Sequence, residues 1–152
     1  MVDNVDTLTR SRIMAAIKSR NTTPELAIRS ILHKKGFRFR LHVKEMPGKP
    51  DIVFPKYNAV IFINGCFWHG HSNCRFFKLP HTNTEYWKNK IIRNQSNDAK
   101  ALQLLLAKNW RVCIIWECKV RASRKDLTQL AEIISDFLKG TANFLEVRET
   151  LK

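Results

Sequence analysis

Apolar and polar positions along the chain follow two alternating periods. Residues 8–19, LTRSRIMAAIKS, carry the pattern of a basic helix capped by Thr7 or Thr9. NTTPELAIRSILHKKG reads as a second helix. A threonine caps it, Pro24 stands near the first turn with Glu25 behind it, and Gly36 ends it. Leu26, Ile28, Ile31 and Leu32 supply its apolar face. FRFRLHV alternates apolar and basic residues, as a half-exposed strand does. MPGKP is a turn, DIVF a short strand, and AVIFI a buried strand by its β-branched content. A loop rich in cysteine and histidine then runs to about residue 83. From Thr84 to about Ala107 the period is helical again, with Ile91, Ile92, Leu102, Leu105 and Leu106 as core candidates. WRVCIIWE is almost continuously apolar, which suits a central strand covered on both faces. Ser123 is expected to cap a last amphipathic helix, RKDLTQLAEIISDFLKG, and residues 141–152 to form a C-terminal tail. The order α-α-β-β-β-α-β-α predicts an α/β fold, a mixed sheet flanked by helices.

Composition adds limits. A chain of 152 residues, 44% of them hydrophobic, suits one globular domain over 1–152, and no repeat, low-complexity stretch or linker divides it. No apolar run reaches membrane-span length, and MVDNVDTLTRSR lacks a signal-peptide core. The expectation is a soluble protein, cytoplasmic in a bacterium. Charge changes the picture more. Lys and Arg number 27 against 13 Asp and Glu, a net +14. That excess favours a polyanionic partner, nucleic acid before anionic membrane, since no basic amphipathic helix has a large apolar face. General solubility is the plainer alternative. With no secretory signal, Cys66, Cys74, Cys113 and Cys118 point to metal ligation or burial instead of disulfides.

Three groupings carry chemistry. Cys66, His71 and Cys74 form C-x4-H-x2-C, and Cys118 closes the set after the apolar strand. Thiolates with one imidazole suit tetrahedral zinc in a structural role, the alternative being buried free thiols. Cys113, inside the strand, reads as a small core residue. In PGKPDIVF, Asp51 starts a buried strand, where a carboxylate serves either a Mg²⁺ ion or a turn cap. Glu25 after Thr22, Thr23 and Pro24 is open in the same way, to a cation or a capping box. On the long helix Trp87, Ile91, Asn94 and Asp98 share one face, either as part of a site or as packing residues followed by solvated ones.

PGKPDIVF, AVIFINGCFWHGHSNC, TNTEYWKNKIIRN and LAKNWRVCIIWEC together resemble the very short patch repair (Vsr) endonucleases, in order, from about Arg10 to Cys118. The resemblance implies a restriction-endonuclease core of the PD-(D/E)XK type. It also implies an enzyme that nicks DNA 5′ of the thymine in a T:G mismatch within the site of a companion cytosine-5 methyltransferase. Pro50 and Asp51 are present, but Phe62, Ile63 and Asn64 stand where the second acid and the lysine belong, a departure the family shares. By resemblance, Asp51 holds Mg²⁺ with the backbone carbonyl of Ile63, and His69 is the base. Glu25, Asp98 and Asn64 complete the catalytic set. Cys66, His71, Cys74 and Cys118 hold Zn²⁺. Phe67, Trp68 and Trp87 wedge into DNA, which Asn94, Arg10, Arg12 and a basic arm over residues 1–20 also contact. One family member has threonine and histidine where this chain has Ile63 and Asn64, and the His71–Cys74 loop here is one residue longer. A companion methyltransferase and MutL-type repair proteins are the implied partners of a monomer, with no membrane association. A restriction-type enzyme of the same fold and a non-catalytic zinc-containing DNA-binding module are the alternatives.

Overall fold

Which face each strand residue buries follows from a period of two. The computed structural model describes residues 22–149. The helix expected over 8–19, with Arg10 and Arg12, lies outside them.

The elements are α1 (Thr23–Lys34), β1 (Arg40–Leu41), β2 (Ile52–Phe54), a short 3-10 turn (Pro55–Tyr57), β3 (Ala59–Asn64), α2 (Thr84–Ala107), β4 (Arg111–Trp116), α3 (Glu117–Ala122), α4 (Thr128–Lys139) and β5 (Phe144–Val147). The sheet order is β1-β2-β3-β4-β5. The β1–β2 and β2–β3 pairs are antiparallel, and β3–β4 and β4–β5 are parallel. A mixed sheet flanked by helices is therefore what forms. Ile52, Phe54, Ile61, Cys113 and Ile115 face one side, packed with Ile28 and Leu32 of α1 and Leu130, Ile134 and Leu138 of α4. Val53, Val60 and Val112 face the other side, against Leu105 of α2. Alternate residues thus enter opposite cores, so β3 and β4 read as continuous apolar runs. Each fully buried Ile or Leu contributes about 1.5–3 kcal/mol.

Several local expectations need correction. Leu26 is 44% exposed, outside the apolar stripe of α1. Ile92 is also exposed, while Ile91 and Leu105 are buried. FRFRLHV forms a strand only at Arg40–Leu41, and His42, at φ 50°, keeps one last bond from its N–H to the Asp51 carbonyl at 3.2 Å as the chain turns away. Ser123 does not start the last helix. It closes α3, its N–H bonding the carbonyls of Lys119 and Val120, and α4 begins at Thr128. The segment read as a tail from residue 141 contains β5, which extends the sheet beside β4. Arg111 helps fasten that edge. Its guanidinium donates to the carbonyls of Phe137 and Leu138 at the end of α4 and to Ala142 before β5.

Candidate active site at the end of β3

Thr22 caps α1, its Oγ1 accepting from Glu25 N at 3.4 Å. The Glu25 side chain does not complete a capping box. It is 2% exposed and turned inward, where Oε2 accepts from Arg29 Nη1 at 3.0 Å and meets His42 Nε2 at 2.9 Å. Asp51 precedes β2. Its Oδ2 accepts from Ile63 N at 2.7 Å. Continuing the β2–β3 register would set Ile63 opposite Pro50, which has no N–H to give the Ile63 carbonyl, while the Ile63 N–H goes to the Asp51 carboxylate. Burial pushes the Asp51 carboxyl up to about 6, and the nearby Glu25 adds to the rise against the opposing Ile63 N–H and His42. Donor atoms of Glu25, His42 and Asp51 lie within 4.8 Å of one another.

The loop after β3 is held from α2. His69 Nδ1 and Asp98 Oδ2 are 2.5 Å apart. Asn94 Nδ2 donates to Trp68 O at 2.9 Å, and Gln95 Nε2 to Gly70 O at 3.1 Å. Asn94, expected to contact DNA, thus has its amide on the loop. Gly70 has φ +59°, and a Cβ there would lie 2.5 Å from Ile91 Cγ2, so the loop closes on α2 only with glycine. Asn64 is buried at the end of β3.

Next to this loop Cys66, His71, Cys74 and Cys118 place their donor atoms within 4.8 Å of one another. Backbone N–H groups of Cys118 and Glu149 donate to Cys66 Sγ and Cys118 Sγ at 3.3 and 3.4 Å. His71 Nδ1 faces Cys118 Sγ at 3.7 Å, and its ring stacks on Trp116 at 3.8 Å. Burial pushes the Cys66 and Cys118 thiols up and His71 down, so each is held uncharged. A cation reverses that balance, and three soft sulfurs with one imidazole form a donor set able to hold one. Cys113 is apart in the core, as expected, its thiol pushed up by burial to about 12.

The aromatics form one cluster. Phe67 lies 5.3 Å from Trp68 and 5.6 Å from Trp87 between ring centroids. Trp87 is only 8% exposed, whereas Tyr86, against it at 5.1 Å, is 58% exposed. Phe67 and Trp68 are half-buried.

His42, Arg29, Gln95 and Tyr86 escaped the sequence reading. Arg29 had a signal, standing four residues after Glu25. His42 had none, since it falls in an ordinary polar slot of an alternating strand.

The catalytic domain of the homing endonuclease I-Bth0305I superposes with a TM-score of 0.51 at 20% identity, over 77% of this chain and 94% of that one, which shows a shared fold. The family model for DNA mismatch endonuclease Vsr matches residues 2–75. The DNA mismatch endonuclease Vsr of Escherichia coli (strain K12) is 42% identical over 92% of this chain and 90% of its own length. Type II nicking enzyme V.XorIIP of Xanthomonas oryzae pv. oryzae is 46% identical over 79% and 88%. Type II nicking enzyme V.NmeAIP of Neisseria meningitidis is 40% identical over 90% and 99%. This chain belongs to the Vsr DNA mismatch endonuclease family. No helix among the described residues is long and apolar enough to cross a membrane.

Proposed function

We propose that the chain, as one endonuclease unit over 1–152, nicks one strand of duplex DNA 5′ of the thymine in T:G mismatches. These would be mismatches left by 5-methylcytosine deamination within the site of a companion cytosine-5 methyltransferase. The observation that carries this reading is the convergence at the end of β3. Asp51 bonds to Ile63 there, and the following loop presents the His69–Asp98 pair. Relatives named as a mismatch endonuclease and as nicking enzymes support the substrate and the single-strand outcome.

His69 is the base. An ionised Asp98 can only accept, so the His69 proton sits on Nδ1 and the lone pair on Nε2. That nitrogen takes the proton from the attacking water, and Asp98 holds the resulting imidazolium. Asp51 and the Ile63 carbonyl would hold Mg²⁺, which would supply charge neutralisation on the phosphate and stabilisation of the leaving oxygen. In a strand the N–H and C=O of one residue leave from the same edge, so the Ile63 carbonyl faces the Asp51 side. Glu25 adds a second carboxylate to the cation site, and Asn64 takes an auxiliary role at the phosphate.

Cys66, His71, Cys74 and Cys118 are assigned to structural Zn²⁺, which pins the loop carrying His69. Phe67 and Trp68 are the DNA wedge, Trp87 supports them from beneath, and Asn94 positions Trp68. Arg10 and Arg12 contact the backbone. A cytoplasmic monomer, served by MutL-type proteins, completes the reading. The test sets a T:G duplex beside its matched control, with and without Mg²⁺. Mg²⁺-dependent nicking of the T strand alone is expected. Cleavage of both strands would make it a restriction-type enzyme, and binding without cleavage a zinc-containing DNA-binding module.

A further inference from the structure

Glu25, His42 and Asp51 come from three separate places, the first turn of α1, the residue after β1 and the residue before β2. Their donor atoms nevertheless meet within 4.8 Å. In an octahedral site with bonds of about 2.1 Å, adjacent ligands stand roughly 3 Å apart and opposite ones about 4.2 Å. The 2.9 Å between His42 Nε2 and Glu25 Oε2, itself a hydrogen-bonding distance, also matches an adjacent pair. The cluster holds two carboxylates, and the Arg29 guanidinium on Glu25 offsets one of them. With a neutral His42 one negative charge remains in a largely buried place, which a cation would satisfy.

We propose that His42 Nε2 is a ligand of the cation site, completing a Glu25–His42–Asp51 triad that selects first-row transition ions such as Mn²⁺ over Mg²⁺. This rests on Asp51 being a metal carboxylate, as argued above. Magnesium is a hard ion that keeps oxygen ligands and gains little from an imidazole. Transition ions accept nitrogen, increasingly from Mn²⁺ through Fe²⁺ and Co²⁺ to Ni²⁺. His42 binds as the neutral ring, with its hydrogen on Nδ1. Arg29 stays on Glu25 and limits the charge that the carboxylate gives to the ion. Only a short strand and a left-handed turn at φ 50° aim the imidazole inward.

The test measures Mn²⁺ binding to the zinc-loaded full chain, without DNA, by the electron paramagnetic resonance signal of free Mn²⁺. Mg²⁺ is measured by competition. Wild type is expected to bind one Mn²⁺ at least ~10-fold more tightly than Mg²⁺. His42→Gln should lose that preference, with Mn²⁺ affinity falling ~10-fold and Mg²⁺ affinity changing less than about twofold. In wild-type protein, substoichiometric Mn²⁺ should broaden the His42 ring resonances before those of exposed His33, a readout independent of how the variant folds. Unchanged Mn²⁺ affinity in His42→Gln, equal loss of both ions, or unbroadened His42 resonances would each overturn the assignment. Asp51→Asn separates the two levels. If it abolishes binding of both ions while His42→Gln changes neither, the cation site stands and only the imidazole ligand falls. If Asp51→Asn binds both ions normally, the underlying reading of Asp51 fails.

Discussion

Asp51 carries its partly buried carboxylate at a cost to the folded protein. Its carboxyl is raised from 3.8 to about 6, so the folded protein holds that proton more tightly than the unfolded chain does. The sign follows. Below the unfolded value the carboxyl is neutral in both states and nothing is lost. Between there and about 6 the penalty grows, and above it the full cost applies, on the order of 3 kcal/mol. Asparagine keeps an oxygen for Ile63 N but carries no charge. Asp51→Asn should therefore stabilise Mg²⁺-free, zinc-loaded protein by ~1–3 kcal/mol at pH 8, with the gain shrinking towards pH 4, while abolishing nicking. Urea denaturation across pH checks the first part, and a destabilised variant at pH 8 would contradict it. In the proposed mechanism Asp98 acts through His69. Asp98→Asn should cut the single-turnover rate ~10²–10⁴-fold, as loss of general-base function does, with DNA affinity kept. Motif and resemblance marked Asp51, Glu25, His69 and Asp98 as candidates, and the fold brings Asp51 to Glu25 and His69 to Asp98. His42 was not marked, because only the left-handed turn after Leu41 separates it from a solvent-facing strand residue.

At the scale of elements, β3, β4 and α2 could be read closely, because long apolar runs and sustained helical spacing overdetermine them. The misses are short. At six residues α3 is too brief for periodicity to show, and β5 carries a glutamate and an exposed phenylalanine, so it resembles a tail. The loop after β3 has no periodicity at all, and its shape comes from side chains elsewhere, with Asn94 and Gln95 on α2 and the Cys118 thiol at the start of α3, which faces His71. Cys118→Ser should lose the bound metal and much of the soluble folded protein, since structural zinc contributes ~10 kcal/mol in small peptides. Metal analysis of purified protein checks this, and a well-folded, metal-free wild type would refute it. The aromatic cluster divides in the same physical way. Trp87 is buried within it, and Trp87→Ala should destabilise by ~3–5 kcal/mol. Trp68 is half-buried, and its truncation should leave a folded, metal-bound protein that loses rate on T:G duplex. Unstacking costs least at a weak pair, so an inserted ring favours a wobble. Trp68→Ala nicking T:G sites at the wild-type rate would make the ring a packing residue.

Across the whole molecule, the sheet is covered on both faces by helices, so its accessible chemistry gathers at the ends of its strands. The ends of β3 and β4 lie together, register-matched from Ala59 and Arg111 to Asn64 and Trp116. Asp51, the His69 loop and the start of α3 therefore share one end of the sheet. That end carries carboxylates, which by themselves repel a phosphodiester. The net +14 must overcome this from elsewhere on the surface. Attraction of that kind works by releasing condensed counterions, about 0.9 per phosphate neutralised, so the logarithm of affinity falls linearly with that of salt. If six phosphates are met, raising salt from 50 to 200 mM weakens binding roughly 10³-fold. The measurement is equilibrium binding of the Asp51→Asn variant to matched and T:G duplexes over that range. Equal, steep slopes for the two duplexes, separated by a constant offset, are expected, since phosphates supply the slope and the proposed wedge would supply the offset. A flat dependence would place the basic excess away from DNA.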